Sequence, residues 1–97
     1  MAIRLVVQMR AIEGRGAELA AAAAERCRIV ESEDGCEQFE IFRSALDPDK
    51  FTLLIQWRNQ DALDAHNLLA SKQPADVWTT LVSGTATRED YTLNRTR

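Results

Sequence analysis

The stretch "CEQFEIFRSALDPDKFTLLIQWR", residues 36–58, holds two runs of alternating side chains separated by a short loop. In the second run, residues 51–58, apolar side chains occupy every other position and the last of them is Trp57. Alternation of this kind is typical of a strand with one buried face. Pro48 restricts its own backbone and that of Asp47, so the residues between the runs form a loop. We therefore predict an antiparallel hairpin.

Upstream of the hairpin, residues 3–11 alternate in the same way and predict a first strand. The alanine-rich residues 17–35 favour a helix, because alanine has the highest helix propensity. Its apolar positions recur at steps of three and four residues and form one stripe. Gly35 stands where a helix C-cap glycine belongs, so we expect the helix to end there.

Downstream, Asn59 is a suitable N-cap for a helix over residues 60–70. A short helix over residues 75–82 follows Pro74, and a turn at Ser83-Gly84 leads into a last strand over residues 85–94. That strand carries Tyr91 and Leu93. The order β-α-β-β-α-β predicts a single α+β domain over residues 1–97, with a ferredoxin-like antiparallel sheet and helices on one face.

The two faces of the predicted sheet differ in polarity. One face is almost wholly apolar and suits a cover of helices; it carries Ile3, Leu5, Val7, Met9, Phe39, Ile41, Phe51, Leu53, Ile55 and Trp57. The other face mixes apolar and polar side chains, namely Val6, Phe42 and Leu54 with Arg4, Gln8, Glu40, Gln56 and Arg58. A face this apolar is expected to be covered, and we predict a homodimer that forms through it.

Composition excludes several classes of protein. The 97 residues carry a net charge of −3, whereas nucleic-acid binding needs a basic face. No apolar run approaches the length of a membrane span, and the N-terminal residues do not form a signal peptide, so we expect a cytoplasmic protein. Cys27 and Cys36 are too few for a disulfide framework, and with one histidine we expect no metal site.

The segment "WRNQDALDAH", residues 57–66, contains the single histidine of the chain. Leu63 and His66 are three residues apart, which places His66 on the side of its helix that faces the sheet. An imidazole there could be the base of a small-molecule site, with Trp57 as an apolar wall. Equally, His66 could bond a backbone carbonyl beneath its helix while Trp57 belongs to the core.

Residues 33–66 resemble the antibiotic biosynthesis monooxygenase family of the dimeric α/β-barrel superfamily. The matching positions lie at the end of the first helix, along the hairpin and at the start of the second helix: Glu33, Gly35, Phe39, Glu40, Arg43, Asp47, Pro48, Phe51, Trp57, Ala62, Leu63 and His66. Upstream, "EGRGAEL" is similar to the family's turn into its first helix. One position departs from the pattern, because family members usually carry Glu two residues before the Trp and this chain has Ile55.

The resemblance implies a homodimeric α/β barrel with a pocket in each subunit between helices and sheet. Family members of this kind oxidise quinols or phenols with O2 and use neither metal nor flavin. The haem-degrading branch needs an Asn on the first strand, where this chain has only Gln8.

Within such a pocket His66 could take a phenol proton, since imidazole titrates near neutral pH. Trp57 and Trp78 could form the walls, Arg43 could anchor an oxyanion or carboxylate, and Tyr91 could donate a hydrogen bond. Two of them have a structural alternative: Trp57 could belong to the core, and Arg43 could pair with an acid. Trp78 lies on a short helix after a proline, and such a helix can act as the lid of a pocket.

Taken with the resemblance, these residues predict a cofactor-independent monooxygenase of a small aromatic or quinol substrate. Two alternatives remain: a non-catalytic small-molecule-binding or stress-response dimer, which Ile55 favours, and an isomerase that uses the same histidine without O2.

Overall fold

The computed structural model describes residues 1–92. Leu93, which we predicted in the last strand, lies outside the described residues. The structure contains four strands, two α-helices and a 3-10 helix. They are β1 (Ile3–Ala11), α1 (Gly16–Glu31), β2 (Cys36–Arg43), β3 (Lys50–Trp57), α2 (Gln60–Ser71), the 3-10 helix (Val77–Leu81) and β4 (Val82–Thr92).

The strands form one antiparallel sheet in the order β2-β3-β1-β4. The predicted hairpin is β2 and β3, and β1 lies between β3 and β4. This arrangement confirms the predicted α+β fold of ferredoxin-like topology. Within residues 1–92, no helix is long and apolar enough to cross a membrane.

Alternation along β3 sets the two faces of the sheet. Phe51, Leu53, Ile55 and Trp57 are buried, whereas the residues between them are only partly buried. Ile55 faces Leu5 of β1 on one side and Phe39 of β2 on the other, so these three neighbouring strands present their apolar residues to the same core. Burial of one such side chain contributes about 1.5–3 kcal/mol, so this face supplies much of the folding free energy.

Helix α1 covers this face with a stripe of small and apolar residues. Leu19, Ala23, Cys27 and Val30 are buried, as the stripe predicted, and Gly16 at the first position of the helix is buried as well. Its end differs from the prediction, because the helix stops at Glu31 with Ser32 as its C-cap. Gly35 instead lies in the turn before β2, with a φ of +83° that only glycine adopts readily.

The start of β4 also differs from the prediction. The strand begins at Val82, so the Ser83-Gly84 pair lies inside it. Pairing with β1 shifts register between Gln8 and Arg10, and Gly84 has a φ of +69° within the shifted segment. A bulge, like a turn, uses a glycine with positive φ, which explains why the sequence suggested a turn here.

The opposite face of the sheet has no helix of the chain packed on it within the described residues. Val6 and Leu54 are partly buried there, and Phe42 is 46% exposed. Arg4 bridges the strands by donating to the side-chain oxygens of Gln38 and Gln56. Arg58, which we assigned to this face, lies instead beyond the end of β3, because the strand ends at Trp57.

Gly35 and Gly14 offer a matched test of packing at the end of α1. Both have positive φ, but a Cβ at Gly35 would lie 2.5 Å from the Ala62 Cβ, whereas one at Gly14 would meet nothing within 4 Å. We expect Gly14→Ala to lower the free energy of unfolding by about 1–2 kcal/mol through backbone strain alone. Gly35→Ala should cost about 1–3 kcal/mol more, because α2 must also move. Urea denaturation checks this, and equal losses would contradict the close approach.

Candidate active site

The first turn of α2 fixes where its side chains point. Asn59 is extended and its side-chain oxygen accepts a hydrogen bond from the Ala62 backbone N–H at 2.9 Å, which is the N-cap predicted from the sequence. Ala62 and Leu63 are buried, and His66 follows Leu63 by three residues. The imidazole is therefore on the side of the helix that faces the sheet, as the spacing predicted.

His66 contacts three side chains from three other parts of the chain. Its Nδ1 lies 2.8 Å from the Glu33 Oε1, just beyond the end of α1. Its ring centroid is 4.8 Å from that of Trp57 on β3 and 6.1 Å from that of Phe39 on β2. The side chains of His66 and Glu33 are 14% and 18% exposed. The imidazole is thus held by a carboxylate on one nitrogen and by aromatic rings on its faces.

A cleft of about 450 Å³ opens to solvent beside this histidine, and its volume is in the range of small-molecule sites. It is lined by Glu33, Asp34, Arg58, Asn59, Asp61, Ala62, Ala65, His66 and Leu69. Three carboxylates and one guanidinium face a small apolar floor from α2. The cleft therefore has polar and apolar surface in similar measure, and it carries a net negative charge while the histidine is neutral.

Two of the charged groups in the cleft pair with each other. Arg58 donates to both Asp34 carboxylate oxygens at 3.4 and 3.5 Å. Both side chains are largely exposed, so the pair contributes at most about 1 kcal/mol to stability. Glu33 is the described carboxylate that contacts the imidazole.

Trp57 and Trp78 occupy different places. The Trp57 side chain is 1% exposed and belongs to the core, while one face of its ring packs on His66. Trp78 is in the 3-10 helix and packs against the core beneath α1. Its indole N–H donates to the Asp76 carboxylate at 3.2 Å, and Arg26 holds the same carboxylate at 3.2 Å.

Trp78 closes a separate apolar gap between α1 and the sheet. The gap has a volume of about 10 Å³ and is lined by Met9, Ala23, Arg26, Cys27, Phe39, Ile41, Leu53 and Trp78. That volume holds about one water molecule, so no aromatic ligand fits without movement of Trp78. Phe39 lines this gap and also contacts His66, so it lies between the gap and the cleft.

Comparison with known proteins shows which family the chain belongs to. Residues 2–70 match the family model described as antibiotic biosynthesis monooxygenase. This chain belongs to that family. The predicted resemblance is therefore confirmed. No curated protein matches the chain.

Solved structures of the same fold include proteins described as a possible oxidoreductase and as an oxygenase. One is a Bacteroides thetaiotaomicron protein described as of unknown function and a possible oxidoreductase, with 24% identity, a TM-score of 0.75 and coverage of 93% of this chain and 95% of that one. Another is SnoaB from Streptomyces nogalater, a cofactor-independent oxygenase, with 17% identity, a TM-score of 0.75 and coverage of 98% and 95%. At these identities the likeness shows the fold.

Two other predicted site residues lie away from His66 in this family member. Arg43 is at the exposed end of β2, where its Nε donates to the Pro48 carbonyl at 2.7 Å and its guanidinium lies over the Phe51 ring. It therefore pairs with a carbonyl where we had considered an acid. Tyr91 is opposite Arg4 on β4 and lines a groove with Val6 and Gln8, on the face of the sheet turned away from the helices.

Ile55, the departure from the family pattern, lies in the core. Its side chain is 6% exposed, between Leu5 and Phe39 in the neighbouring strands. A carboxylate at this position would have to be buried, and a buried carboxylate needs a partner. The apolar residue removes that requirement from this chain, together with any role that the acid has in relatives.

Sequence reasoning assigned only His66 of the cleft residues to the site, and it missed the charged residues Glu33 and Arg58 among others. Glu33 is 33 positions from His66, and the two meet only because α1 and α2 lie on the same face of the sheet. The one available signal was that both matched the family pattern. No pattern in the sequence placed Arg58 at the cleft. If the alternation of β3 is extended past Trp57, it assigns Arg58 to the opposite face of the sheet.

The two cysteines are not activated nucleophiles. Burial raises the pKa of the Cys27 thiol to about 11, with a further contribution from the charge of Glu31. Burial likewise raises the pKa of Cys36 to about 11, helped by Glu31 and Glu33. The thiolate is the reactive form, so both side chains act as small apolar residues at neutral pH. Within residues 1–92, no cluster of three or more His, Cys, Asp or Glu is arranged to hold a metal.

The raised pKa of Cys36 predicts slow alkylation. In a Cys27→Ser variant at pH 8, we expect iodoacetamide to modify folded Cys36 about a hundredfold more slowly than the same thiol in urea. The rate should keep rising about tenfold per pH unit up to pH 10, because the thiolate fraction grows until the pKa is reached. A rate that levels off near pH 9 would show simple steric protection and contradict the raised pKa.

Proposed function

We propose that this protein is a cofactor-independent monooxygenase of a small phenol or quinol, with His66 as the base. The observation that carries the proposal is the imidazole itself. It lines a cleft of suitable volume, one of its nitrogens is engaged by Glu33, and the Trp57 ring supports its face. A neutral imidazole held in this way can accept a proton from a hydroxyl group in the cleft.

The chemistry starts when the histidine removes the proton of the phenolic hydroxyl. The resulting phenolate reduces O2, and a C–O bond forms at a ring carbon to give a peroxide anion, which takes the proton from the imidazolium and becomes a hydroperoxide. The neutral histidine then removes the hydrogen of that ring carbon. The C–H electron pair forms a carbonyl as the O–O bond breaks, and the departing hydroxide takes this second proton from the imidazolium and leaves as water. Overall, one hydroquinone and one O2 give one hydroxybenzoquinone and one water, so the ring gains one oxygen atom and loses two hydrogens.

An oxygen electrode tests the proposal with hydroquinone and substituted hydroquinones. We expect O2 uptake in proportion to enzyme, insensitivity to chelators, and a loss of kcat of about 100-fold in His66→Ala, the size typical of a lost general base. Leu68→Ala is the matched control, because Leu68 is on the same helix but is 60% exposed and outside the cleft. Equal turnover by wild type and His66→Ala would contradict the role of His66 as the base.

A second candidate is a small-molecule-binding protein without turnover. Two observations favour it: Ile55 replaces the acid usual in the family, and the cleft is open to water, whereas a reactive phenolate is best kept dry. A thermal-shift screen with hydroquinones and aromatic acids separates the candidates. A ligand that raises Tm in the absence of O2 uptake supports binding alone.

We also propose a homodimer that forms through the sheet face turned away from the helices. Support comes from its apolar side chains, since Val6 and Leu54 are adjacent in the register and Phe42 is 46% exposed beside them. A patch of this kind on a sheet is a common place for a second copy to pack. In a sheet-to-sheet dimer Tyr91 would be at the interface, because it is on the same face.

Leu54→Lys tests this interface against a matched control. Leu46 is 96% exposed in the β2–β3 loop, so Leu46→Lys adds the same charge away from the sheet. We expect wild type and Leu46→Lys to sediment at twice the 10.9 kDa chain mass, and Leu54→Lys to dissociate, because a buried lysine without a partner is strongly unfavourable. A wild-type monomer at micromolar concentration would overturn the proposed dimer.

A further inference from the structure

We infer that Glu33 is the positioning residue of the site: it fixes the tautomer of His66 so that Nε2 is the proton acceptor. The inference rests on the proposed function for its catalytic meaning, but the tautomer is a property of the free protein. It concerns an acid that no pattern in the chain assigned to catalysis.

The argument begins with the chemistry of the 2.8 Å contact. A carboxylate can only accept, so the Nδ1 that faces the Glu33 Oε1 must carry the hydrogen. A neutral imidazole has one N–H, which leaves the lone pair on Nε2. The nitrogen that remains for a ligand is therefore an acceptor, as a base must be.

The surroundings hold this arrangement in place. The Trp57 ring packs on the imidazole with an interplanar angle of 31°, and Phe39 adds a second aromatic contact. Rotation of the ring about its Cβ–Cγ bond would place the Cδ2–H where Nδ1 now faces Glu33, so it would break that hydrogen bond and disturb both aromatic contacts on the way. With both polar side chains more than four-fifths buried, water competes weakly for that hydrogen bond.

Other charged groups near the histidine do not provide the same contact. Asp34 is bonded to Arg58, and Asp61, on the first turn of α2, makes no hydrogen bond to the imidazole. The aromatic neighbours Trp57 and Phe39 offer no acceptor. Glu33 alone among the described residues accepts from the imidazole.

In the reaction, this carboxylate acts through the histidine. The substrate O–H bond breaks and its proton goes to Nε2, while the electron pair stays on the phenolate oxygen. The imidazolium that forms keeps its Nδ1–H bond to the Glu33 carboxylate, so the new positive charge is paired at once. The same proton then leaves Nε2 for the peroxide oxygen, which restores the starting tautomer.

Nitrogen NMR of the single histidine tests the inference without any turnover. In uniformly 15N-labelled wild type at about pH 9, where an ordinary imidazole is neutral, we expect the proton on Nδ1 and a pyridine-like Nε2. Glu33→Ala should shift the population towards Nε2–H, and Glu33→Gln should retain Nδ1–H because its amide oxygen still accepts. Asp34→Asn removes a neighbouring charge without touching His66 and should leave the spectrum as in wild type.

A predominant Nε2–H tautomer in wild type would overturn the inference outright, whether or not the variants fold. A Glu33→Ala spectrum equal to that of wild type would also overturn it. These outcomes need no substrate, so they are independent of whether the protein consumes O2.

Kinetics supply the second readout. With hydroquinone we expect Glu33→Ala to lower kcat by about 100-fold, because Nε2 no longer serves as the proton acceptor. KM should change less than about threefold, because the other residues that line the cleft are unchanged. Glu25→Gln, on the exposed face of α1, is the control and should leave kcat and KM as in wild type. The expected tautomer without O2 uptake in wild type would sink the proposed oxygenation and leave the role of Glu33 in orienting His66 intact. O2 uptake with an Nε2–H histidine would support the proposed oxygenation and overturn the role of Glu33 in orienting His66.

Discussion

Packing of the Trp57 ring at the end of β3 is the contact on which the fold and the site both depend. In the register of the sheet Trp57 is beside Ile3 of β1 and Cys36 of β2, and its ring also packs on His66 of α2. Three strands and one helix therefore meet at one side chain that is 1% exposed. Loss of an aromatic ring from such a position typically removes about 3–5 kcal/mol, a large part of a small domain's stability.

Much of the fold follows from local patterns, because a strand's alternation and a helix's apolar stripe are set by neighbours in sequence. Leu5, Leu53 and Trp57 are buried as their alternation predicts, and Leu19 and Val30 mark the buried side of α1. The ends of elements were less predictable. Gly35 and Gly84 both have positive φ, and that conformation serves a cap, a turn or a bulge equally well.

The site was only partly predictable for a related reason. The spacing between Leu63 and His66 was enough to turn the imidazole inward, since both residues are on one helix. The partners of His66 depend instead on how α1 and α2 lie across the sheet, which periodicity does not encode. Alternation likewise assigns Tyr91 to a face of the sheet, but only the register shows that it is opposite Arg4 and away from the cleft.

Several polar side chains on the open sheet face are already hydrogen-bonded to one another. Arg4 on β1 bridges Gln56 on β3 and Gln38 on β2, Gln38 donates to Glu40 at 2.9 Å, and Gln56 donates to Glu37 at 3.0 Å. A cation and two anions are thus linked through neutral amides across three strands. Whatever covers this face meets polar groups whose partners and rotamers are already set. Covering this face therefore costs less side-chain entropy, and leaves fewer hydrogen-bond donors without a partner, than covering a surface whose polar side chains are free to move.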